Sequence, residues 1–254
     1  MLTLTASAKI LSVLLLLLLP ANLAQAADQS PFAAAEALMR SPDLNAAQAR
    51  QALALYEESL PAAGEDRPLL LARLARVCFI LGDLAAEAQR QDFYEKGRAY
   101  AEMLLTEQPD RVAGHYWLAL NLCGLADVGG ALQGHKLLPT ILEELQRAVT
   151  MDETYDQAGA HRVLGRIYFQ APAPPFSVGD LKKSLDHLTA AVRLAPANST
   201  NHLYLAETLL RLENPDQARQ QLEQTLKATQ HATHPGGLID DQTAARRRLE
   251  ELGG

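Results

Sequence analysis

Apolar residues recur every three or four positions along most of the chain, in paired segments separated by turn-forming residues. This period predicts amphipathic helices. Residues 33–40 and 45–60 predict two N-terminal helices, and Asn45 stands where the N-cap of the second is expected. Residues 161–196 predict two helices around the stretch APAPPFSVGD, and LIDDQTAARRRLEELGG predicts a final helix that ends at Gly253.

Small residues recur at equivalent places in four pairs of predicted helices. In the first helices they are Ala75, Ala119, Gly165 and Ala206. In the second helices, the spacing of Ser184, Leu188, Ala191 and Pro196 repeats that of Gly97, Ala101, Leu104 and Pro109. Such repetition, with small residues that let helices approach closely, is typical of tetratricopeptide repeats. It predicts an all-α, tetratricopeptide-like helical-hairpin solenoid of about four hairpins, with N- and C-terminal capping helices.

The repeats are longer than the usual tetratricopeptide length of about 34 residues. The extra residues fall between paired helices, in GDLAAEAQRQDF (82–93), GLADVGGALQGH (124–135) and APAPPFSVGD (171–180). Stacked hairpins place equivalent turns on one edge, so these stretches predict three loops along one rim. Pro174, Pro175 and Phe176 are then candidate binding residues. Neutral drift is the alternative, because loops accept insertions at little cost.

The N-terminus has the order of a secretory signal peptide. Lys9 precedes an apolar run over 10–19, and Ala24-Gln25-Ala26 has the small residues of a cleavage site. Cleavage after Ala26 predicts a periplasmic protein, with an uncleaved anchor as the alternative. The predicted organisation is a signal peptide (1–26), N-terminal helices (27–65), a repeat domain (66–230) and a C-terminal capping helix (231–254).

The composition limits both the type of secondary structure and the classes of partner that fit the chain. Ala and Leu dominate and aromatic residues are only 5%, which suits helices better than strands. The formal net charge of −7 argues against a nucleic-acid partner. Cys78 and Cys123 are either buried thiols or, in an oxidising compartment, a disulfide.

Histidines occupy one equivalent position in three repeats. They are His115, His161 and His202. Neighbouring packed helices are about 8–10 Å apart, too far for three imidazoles to reach one ion. Each ring is therefore expected to pack between helices and to hydrogen-bond a neighbour, and no metal site is predicted.

The residues one and five positions after these histidines are expected on the concave face. They are Tyr116, Leu120, Arg162, Arg166, Leu203 and Glu207, and Arg76 is equivalent in the first repeat. Arg76, Arg162 and Arg166 together predict a cationic surface for a carboxylate ligand or an acidic peptide. A solvated or salt-bridged face, for instance with Glu207, is the alternative. We also treat His115 and Tyr116 as candidate binding residues.

No motif indicates an enzyme. A nucleophile elbow, a phosphate-binding glycine loop and a metal-spaced His/Glu pair are all missing from the sequence. We therefore expect no catalytic residues and no cofactor.

Several stretches together resemble the T-component of TRAP transporters, a family related to the regulator of microtubule dynamics proteins. They include LARLARVCFILGDL, FYEKGRAYAEMLL, HYWLALNL and HRVLGRIYFQAPAPPFSVGDLKKSLDHLTAAVRLAP, within residues 66–228. The resemblance implies a periplasmic trimer with a hollow through each subunit, which docks a solute-binding protein and holds a small, hydrophobic ligand. T-components are typically lipoproteins, and the lipidation cysteine is missing here.

Two functions follow. In the first, a non-enzymatic transport accessory uses its rim and concave face to contact a solute-binding protein or its ligand, through an oligomer with a through-going pocket. In the second, a general envelope scaffold unrelated to transport binds peptide segments in an open groove.

Overall fold

The computed structural model describes residues 32–234 and 236–253, and within them it contains ten α-helices and no strand. The helices are α1 (Ala33–Met39), α2 (Ala46–Ser59), α3 (Arg67–Leu84), α4 (Glu87–Glu107), α5 (Val112–Met151), α6 (Tyr155–Gln170), α7 (Leu181–Leu194), α8 (Ser199–Arg211), α9 (Pro215–Lys227) and α10 (Gly237–Gly253). The predicted signal peptide lies outside the described residues. None of the helices described combines the length and apolar character that a membrane span requires.

The helices stack as four antiparallel hairpins between two capping elements. The hairpins are α3–α4, the two arms of α5, α6–α7 and α8–α9. The α1–α2 pair packs on α3, and α10 packs on α8 and α9. The prediction of an all-α, tetratricopeptide-like hairpin solenoid is therefore confirmed.

Local sequence signals set where several helices begin. The Asn45 side chain accepts hydrogen bonds from the backbone N–H groups of Ala47 (3.0 Å) and Gln48 (3.2 Å), and Gln48 reaches back to the Asn45 N–H. This capping box confirms the predicted start of α2. Asp180 caps α7 in the same way, through the N–H groups of Lys182 (2.9 Å) and Lys183 (3.1 Å).

Two of the three predicted rim loops are helical, so that prediction is wrong for them. Stretch 82–93 is the end of α3 and the start of α4, and stretch 124–135 is helical except at Gly130. Their Ala, Leu, Glu, Gln and Arg residues favour helix, so the insertion lengthens helices instead of a turn. At Gly130 (φ 72°, ψ −171°) the chain of α5 turns from its first arm (112–129) to its second (131–151). Only stretch 171–180 is a loop.

Small residues at the hairpin interfaces allow the side chain of one helix to approach the backbone of its partner closely. A Cβ atom added to Gly165 would lie 2.5 Å from Leu188 Cγ, whereas one added to Gly134 meets nothing nearer than 3.8 Å. Both glycines lie inside helices.

The same substitution is therefore expected to have opposite effects at these two sites. Gly165→Ala should lower the free energy of unfolding by about 1–2 kcal/mol, because the Leu188 side chain must move. Gly134→Ala should raise it by about 0.5–1 kcal/mol through helix propensity alone. Urea denaturation followed by circular dichroism measures both, and a stabilised Gly165→Ala would show that the α6–α7 interface is loosely packed.

Candidate functional site

A cavity of about 930 Å³ lies on the concave side of the solenoid. Its walls come from the inner faces of α3, α5, α6 and α8, from the 171–177 part of the loop, and from residues 231–233. Apolar side chains dominate its interior, among them Phe79, Leu120, Cys123, Leu138 and Ile167. An apolar cavity of this kind, with a few polar groups, is the usual form of a small-ligand site.

The segment between α9 and α10, which we call the strap (residues 228–234), crosses the concave face. Three backbone hydrogen bonds fix its start: Thr229 N (3.2 Å) and Gln230 N (3.0 Å) both donate to Ala197 O, and Ser199 N donates to Gln230 O (2.8 Å). Arg76 on α3 donates to the Thr233 carbonyl at 3.4 Å. Because the strap forms one wall of the cavity, the concave face here is not an open groove along its whole length.

A buried polar network lies beside the cavity. Tyr116 donates to the Asp156 carboxylate at 2.7 Å, and the Arg162 Nη2 atom lies 3.3 Å from the same carboxylate oxygen. Arg162 also donates to Tyr116 Oη (3.2 Å) and to Asn201 Oδ1 (3.3 Å). Burial, followed by the nearby Asp156 charge, raises the pKa of Tyr116 well above its ordinary value. Tyr116 therefore stays a neutral hydrogen-bond donor.

An unusual turn of backbone positions this network. Asp156, Gln157 and Ala158 all have positive φ angles, of 49°, 59° and 59°, a region that side-chain-bearing residues rarely adopt. Arg162 donates to the Gln157 carbonyl at 3.2 Å and so holds the turn. Gly159 is required next to it, because an added Cβ would lie 2.3 Å from Tyr116 Oη.

The predicted open cationic surface is not present, and the salt-bridged alternative describes two of its three arginines. Arg162 is 3% exposed and neutralised by Asp156. Arg166 pairs with Glu207 at 2.5 Å and stacks over the Tyr204 ring at 4.4 Å. Arg162 and Arg166 do line the cavity, whereas Arg76 and Glu207 do not.

The three repeat histidines lie inside the hairpins, away from the cavity. Each is buried and bonds through Nδ1 to the second helix of its own hairpin: His115 to Glu144 (2.5 Å), His161 to His187 (2.9 Å) and His202 to Gln221 (2.7 Å). The packing interpretation is therefore correct, and His115 is not brought to the candidate site. In the described part of the chain, no cluster of three or more His, Cys, Asp or Glu side chains could hold a metal ion.

The 171–180 loop contributes one aromatic side chain to the cavity mouth. Phe176 is 80% exposed and also lines the cavity. Pro174 and Pro175 are exposed but do not line it. Of the loop residues predicted to bind, Phe176 is thus the one that the structure places at the cavity.

Both cysteines are free thiols in this structure. Burial raises the pKa of Cys78 and of Cys123 to about 12. A thiol with so high a pKa is a poor nucleophile at neutral pH.

Sequence reasoning missed the strap. Its residues His231, Ala232 and Thr233 line the cavity, although they lie far in sequence from the other walls. The HATHPGG stretch carries no helical period and indicates only a break, so the sequence has no signal for its position.

Comparisons with known proteins identify one matching family and one crystal structure of similar fold. The sequence model of the family described as "Regulator of microtubule dynamics protein 1-3" matches residues 33–252. A thermophilic tetratricopeptide-repeat protein of Thermus thermophilus has a similar crystal structure, with a TM-score of 0.57, 22% identity, and coverage of 81% of this chain and 91% of that one. Yeast Tom70 is a more distant neighbour (TM-score 0.32, 12% identity, 87% of this chain and 64% of that one). No curated protein sequence matches significantly.

Proposed function

The chain belongs to the regulator of microtubule dynamics protein 1-3 family, and from that premise we propose that it is a non-catalytic, tetratricopeptide-like binding protein. Solenoids of this kind generally act through contacts with other proteins, on their concave surfaces. In this chain, we propose, the cavity holds an apolar organic ligand while the rim around Phe176 contacts a protein partner.

The size and the apolar lining of the cavity are the observations that carry this proposal. Its volume of about 930 Å³ falls in the range of about 300–1,000 Å³ that is typical of small-ligand sites. The strap crosses the face along which an extended peptide would run in an open groove. The arginines on the wall, Arg162 and Arg166, already have carboxylate partners. The two carboxylates on the wall are also bonded, Asp127 to Arg90 and Asp83 to Tyr94, and most of the remaining lining is apolar.

A more specific form of the proposal is a T-component-like accessory of a TRAP-type uptake system. In that form the protein is periplasmic and trimeric, and its partner is a solute-binding protein that exchanges the ligand with the cavity. The resemblance over residues 66–228 supports this form, as does a ligand-sized cavity with an aromatic residue at its mouth.

The second candidate is an envelope scaffold unrelated to transport. The 80% exposed Phe176 favours it, because a single exposed aromatic side chain on a loop can anchor a protein contact without any ligand. In that case the cavity is incidental to partner binding.

Filling the cavity separates the two candidates. Gly134 lines the cavity and lies in a helix, and a Cβ added there meets nothing nearer than 3.8 Å, so we expect Gly134→Trp to fill part of the cavity without unfolding the protein. Leu132→Trp, two residues earlier at a 70% exposed position that does not line the cavity, is the matched control. The full chain is purified from the envelope of its own host, and native mass spectrometry measures co-purifying small molecules.

We expect a bound small molecule in the wild type and in Leu132→Trp, and its loss in Gly134→Trp. If the wild type carries no small molecule but captures a protein that Phe176→Ser no longer captures, the scaffold is the correct function. Retention of the ligand in Gly134→Trp would place the ligand site elsewhere.

A further inference from the structure

Tyr204 on α8 brings a hydroxyl group without a hydrogen-bond partner to the cavity wall. Its side chain lines the cavity and is half-buried. Among residues 32–234 and 236–253, no group hydrogen-bonds its hydroxyl. The hydroxyl oxygen keeps solvent-accessible surface, since the fully buried polar atoms that lack a partner lie on other residues. A tyrosine hydroxyl that is largely withdrawn from water usually finds a partner, and a ligand in the cavity can supply the missing one.

The neighbours of Tyr204 hold its ring in place. The Arg166 guanidinium stacks over the ring, with its Cζ atom 4.4 Å from the ring centroid, and Glu207 in turn holds Arg166. The ring also packs against an apolar cluster that includes Leu188 and Leu209. Burial raises the pKa of Tyr204 above its ordinary value. The hydroxyl is therefore a positioned, neutral group that can donate one hydrogen bond and accept another.

The charged groups of the cavity wall, in contrast, already have partners. The ion pairs on the wall are Arg162–Asp156, Arg166–Glu207 and Arg90–Asp127. The remaining charged side chain is Asp83, which is exposed and accepts a hydrogen bond from the Tyr94 hydroxyl at 2.8 Å. These groups comprise four carboxylates and three guanidinium groups, so an anionic ligand would add to an excess of negative charge. A cationic ligand would gain little from Asp83, because a carboxylate in water attracts a cation only weakly.

A neutral polar group on the ligand avoids both difficulties. Moving an ionised group out of water is costly unless a counter-charge is ready to receive it. A hydroxyl or carbonyl oxygen needs only a hydrogen-bond partner, and leaving that oxygen without one inside an apolar cavity would be unfavourable. The Tyr204 hydroxyl is such a partner, and it is already positioned on the wall.

We infer that the ligand of the cavity is an uncharged amphiphile, an apolar body that carries a hydroxyl or carbonyl oxygen, and that the Tyr204 hydroxyl hydrogen-bonds this oxygen. This inference rests on the proposed ligand-holding function. The apolar body lies against lining side chains such as Val163 and Ile167, which belong to α6 as Arg166 does. Tyr204 is a binding residue in this arrangement, and it selects among apolar ligands by the oxygen that they carry.

Three probes with the same alkyl chain and different head groups test the inference. Decan-1-ol, decanoate and decylammonium, each below the concentration at which it aggregates, displace the fluorescent hydrocarbon diphenylhexatriene from the full chain at neutral pH. We expect decan-1-ol to bind the wild type at least about tenfold more tightly than either ion.

The matched variants isolate the hydrogen bond. Tyr204→Phe should weaken the binding of decan-1-ol about threefold to tenfold, through the loss of one hydrogen bond. It should leave the affinity for diphenylhexatriene unchanged, because a hydrocarbon cannot hydrogen-bond. Tyr168→Phe, on α6 and outside the cavity lining, is the matched control and should keep the wild-type affinity for both molecules.

Each contrary outcome has a distinct meaning. Tighter binding of decanoate or of decylammonium than of decan-1-ol would overturn the uncharged ligand class. Equal affinities of the wild type and Tyr204→Phe for decan-1-ol would overturn the hydrogen bond, as would an equal loss of diphenylhexatriene, which would show that the variant damages the cavity itself. If the wild type binds neither the hydrocarbon nor any of the three probes, the ligand-holding function is wrong together with the inference. The comparison of head groups in the wild type does not depend on the folding of any variant.

Discussion

Arg162→Ala is expected to lower the free energy of unfolding by about 3–5 kcal/mol, because it removes one partner of a buried ion pair and leaves the other uncompensated. The Arg162 side chain is 4% exposed, and its loss deprives Asp156 of its cationic partner. It also removes the donors that hold the positive-φ turn at residues 156–158. The effect therefore combines an unpaired carboxylate with a backbone conformation that has lost its support.

Urea denaturation followed by far-ultraviolet circular dichroism measures this change. Arg193→Ala is the matched control, because that side chain is 66% exposed and its ion pair is 3.9 Å long, and it should shift stability by less than about 0.5 kcal/mol. Arg162→Lys should fall between the two, since a lysine keeps the charge but cannot bond to several partners at once. A loss below about 1 kcal/mol in Arg162→Ala would contradict a supporting role for the network.

Acidification is expected to destabilise the protein through the His161–His187 pair. The two Nδ1 atoms are 2.9 Å apart, so at least one ring must be neutral to accept the hydrogen bond. Burial lowers the pKa of His161, and burial together with the adjacent His161 lowers the pKa of His187 to about 4. Around the pair, Glu153 and Asp186 favour the charged forms, whereas Arg193 and Lys183 disfavour them.

The direction of the effect follows from proton uptake. Between the unfolded-state pKa of about 6.5 and the folded value, the unfolded chain binds more protons than the folded one. The contribution of the pair to the free energy of unfolding is therefore fully present above the unfolded-state pKa of about 6.5, and it is lost as the pH drops toward about 4. For a half-buried His187, we expect a loss of about 2 kcal/mol over this window. The lowered pKa of His231 in the strap acts in the same direction.

Comparing the slope of the unfolding free energy against pH between the wild type and histidine variants separates the contribution of the His161–His187 pair from that of the acidic residues. His187→Phe keeps a ring that can stack on Tyr168, which lies 5.7 Å away, but removes the titrating group. It should flatten the slope between pH 4 and 6.5, while His135→Gln, at an exposed position, keeps the wild-type slope. Equal slopes in all three proteins would show that the pair does not govern the response.

The hairpins could be predicted from the sequence because each depends on local pattern. The period of apolar residues sets the helices, and residues such as Gly165 mark where two of them touch. Asn45 carries its own capping signal. These features act over a few residues, so no knowledge of the rest of the chain is needed.

The site could be predicted only in part, because its geometry depends on contacts between distant segments. Equivalence to other repeats correctly placed Tyr116 and Arg162 on the inner face, but their burial follows from the turn at residues 156–158. That turn is formed by Asp, Gln and Ala, of which only Asp is enriched at positive φ angles, so the sequence does not predict three such residues in a row. The pairing of Arg166 with Glu207, like the position of the strap, is decided by tertiary packing.

The strap also links the two ends of the solenoid. In an open array each repeat touches only its neighbours, so either end can fray independently of the other. Here Arg76 of the first hairpin bonds to Thr233, and Gly236 lies so near the α1–α2 turn that an added Cβ would be 3.3 Å from the Pro42 carbonyl oxygen. The two ends of the solenoid are therefore in contact with each other. We therefore expect that opening the chain around Thr233 loosens the first hairpin, and that this contact forms only after the repeats between its two partners have folded.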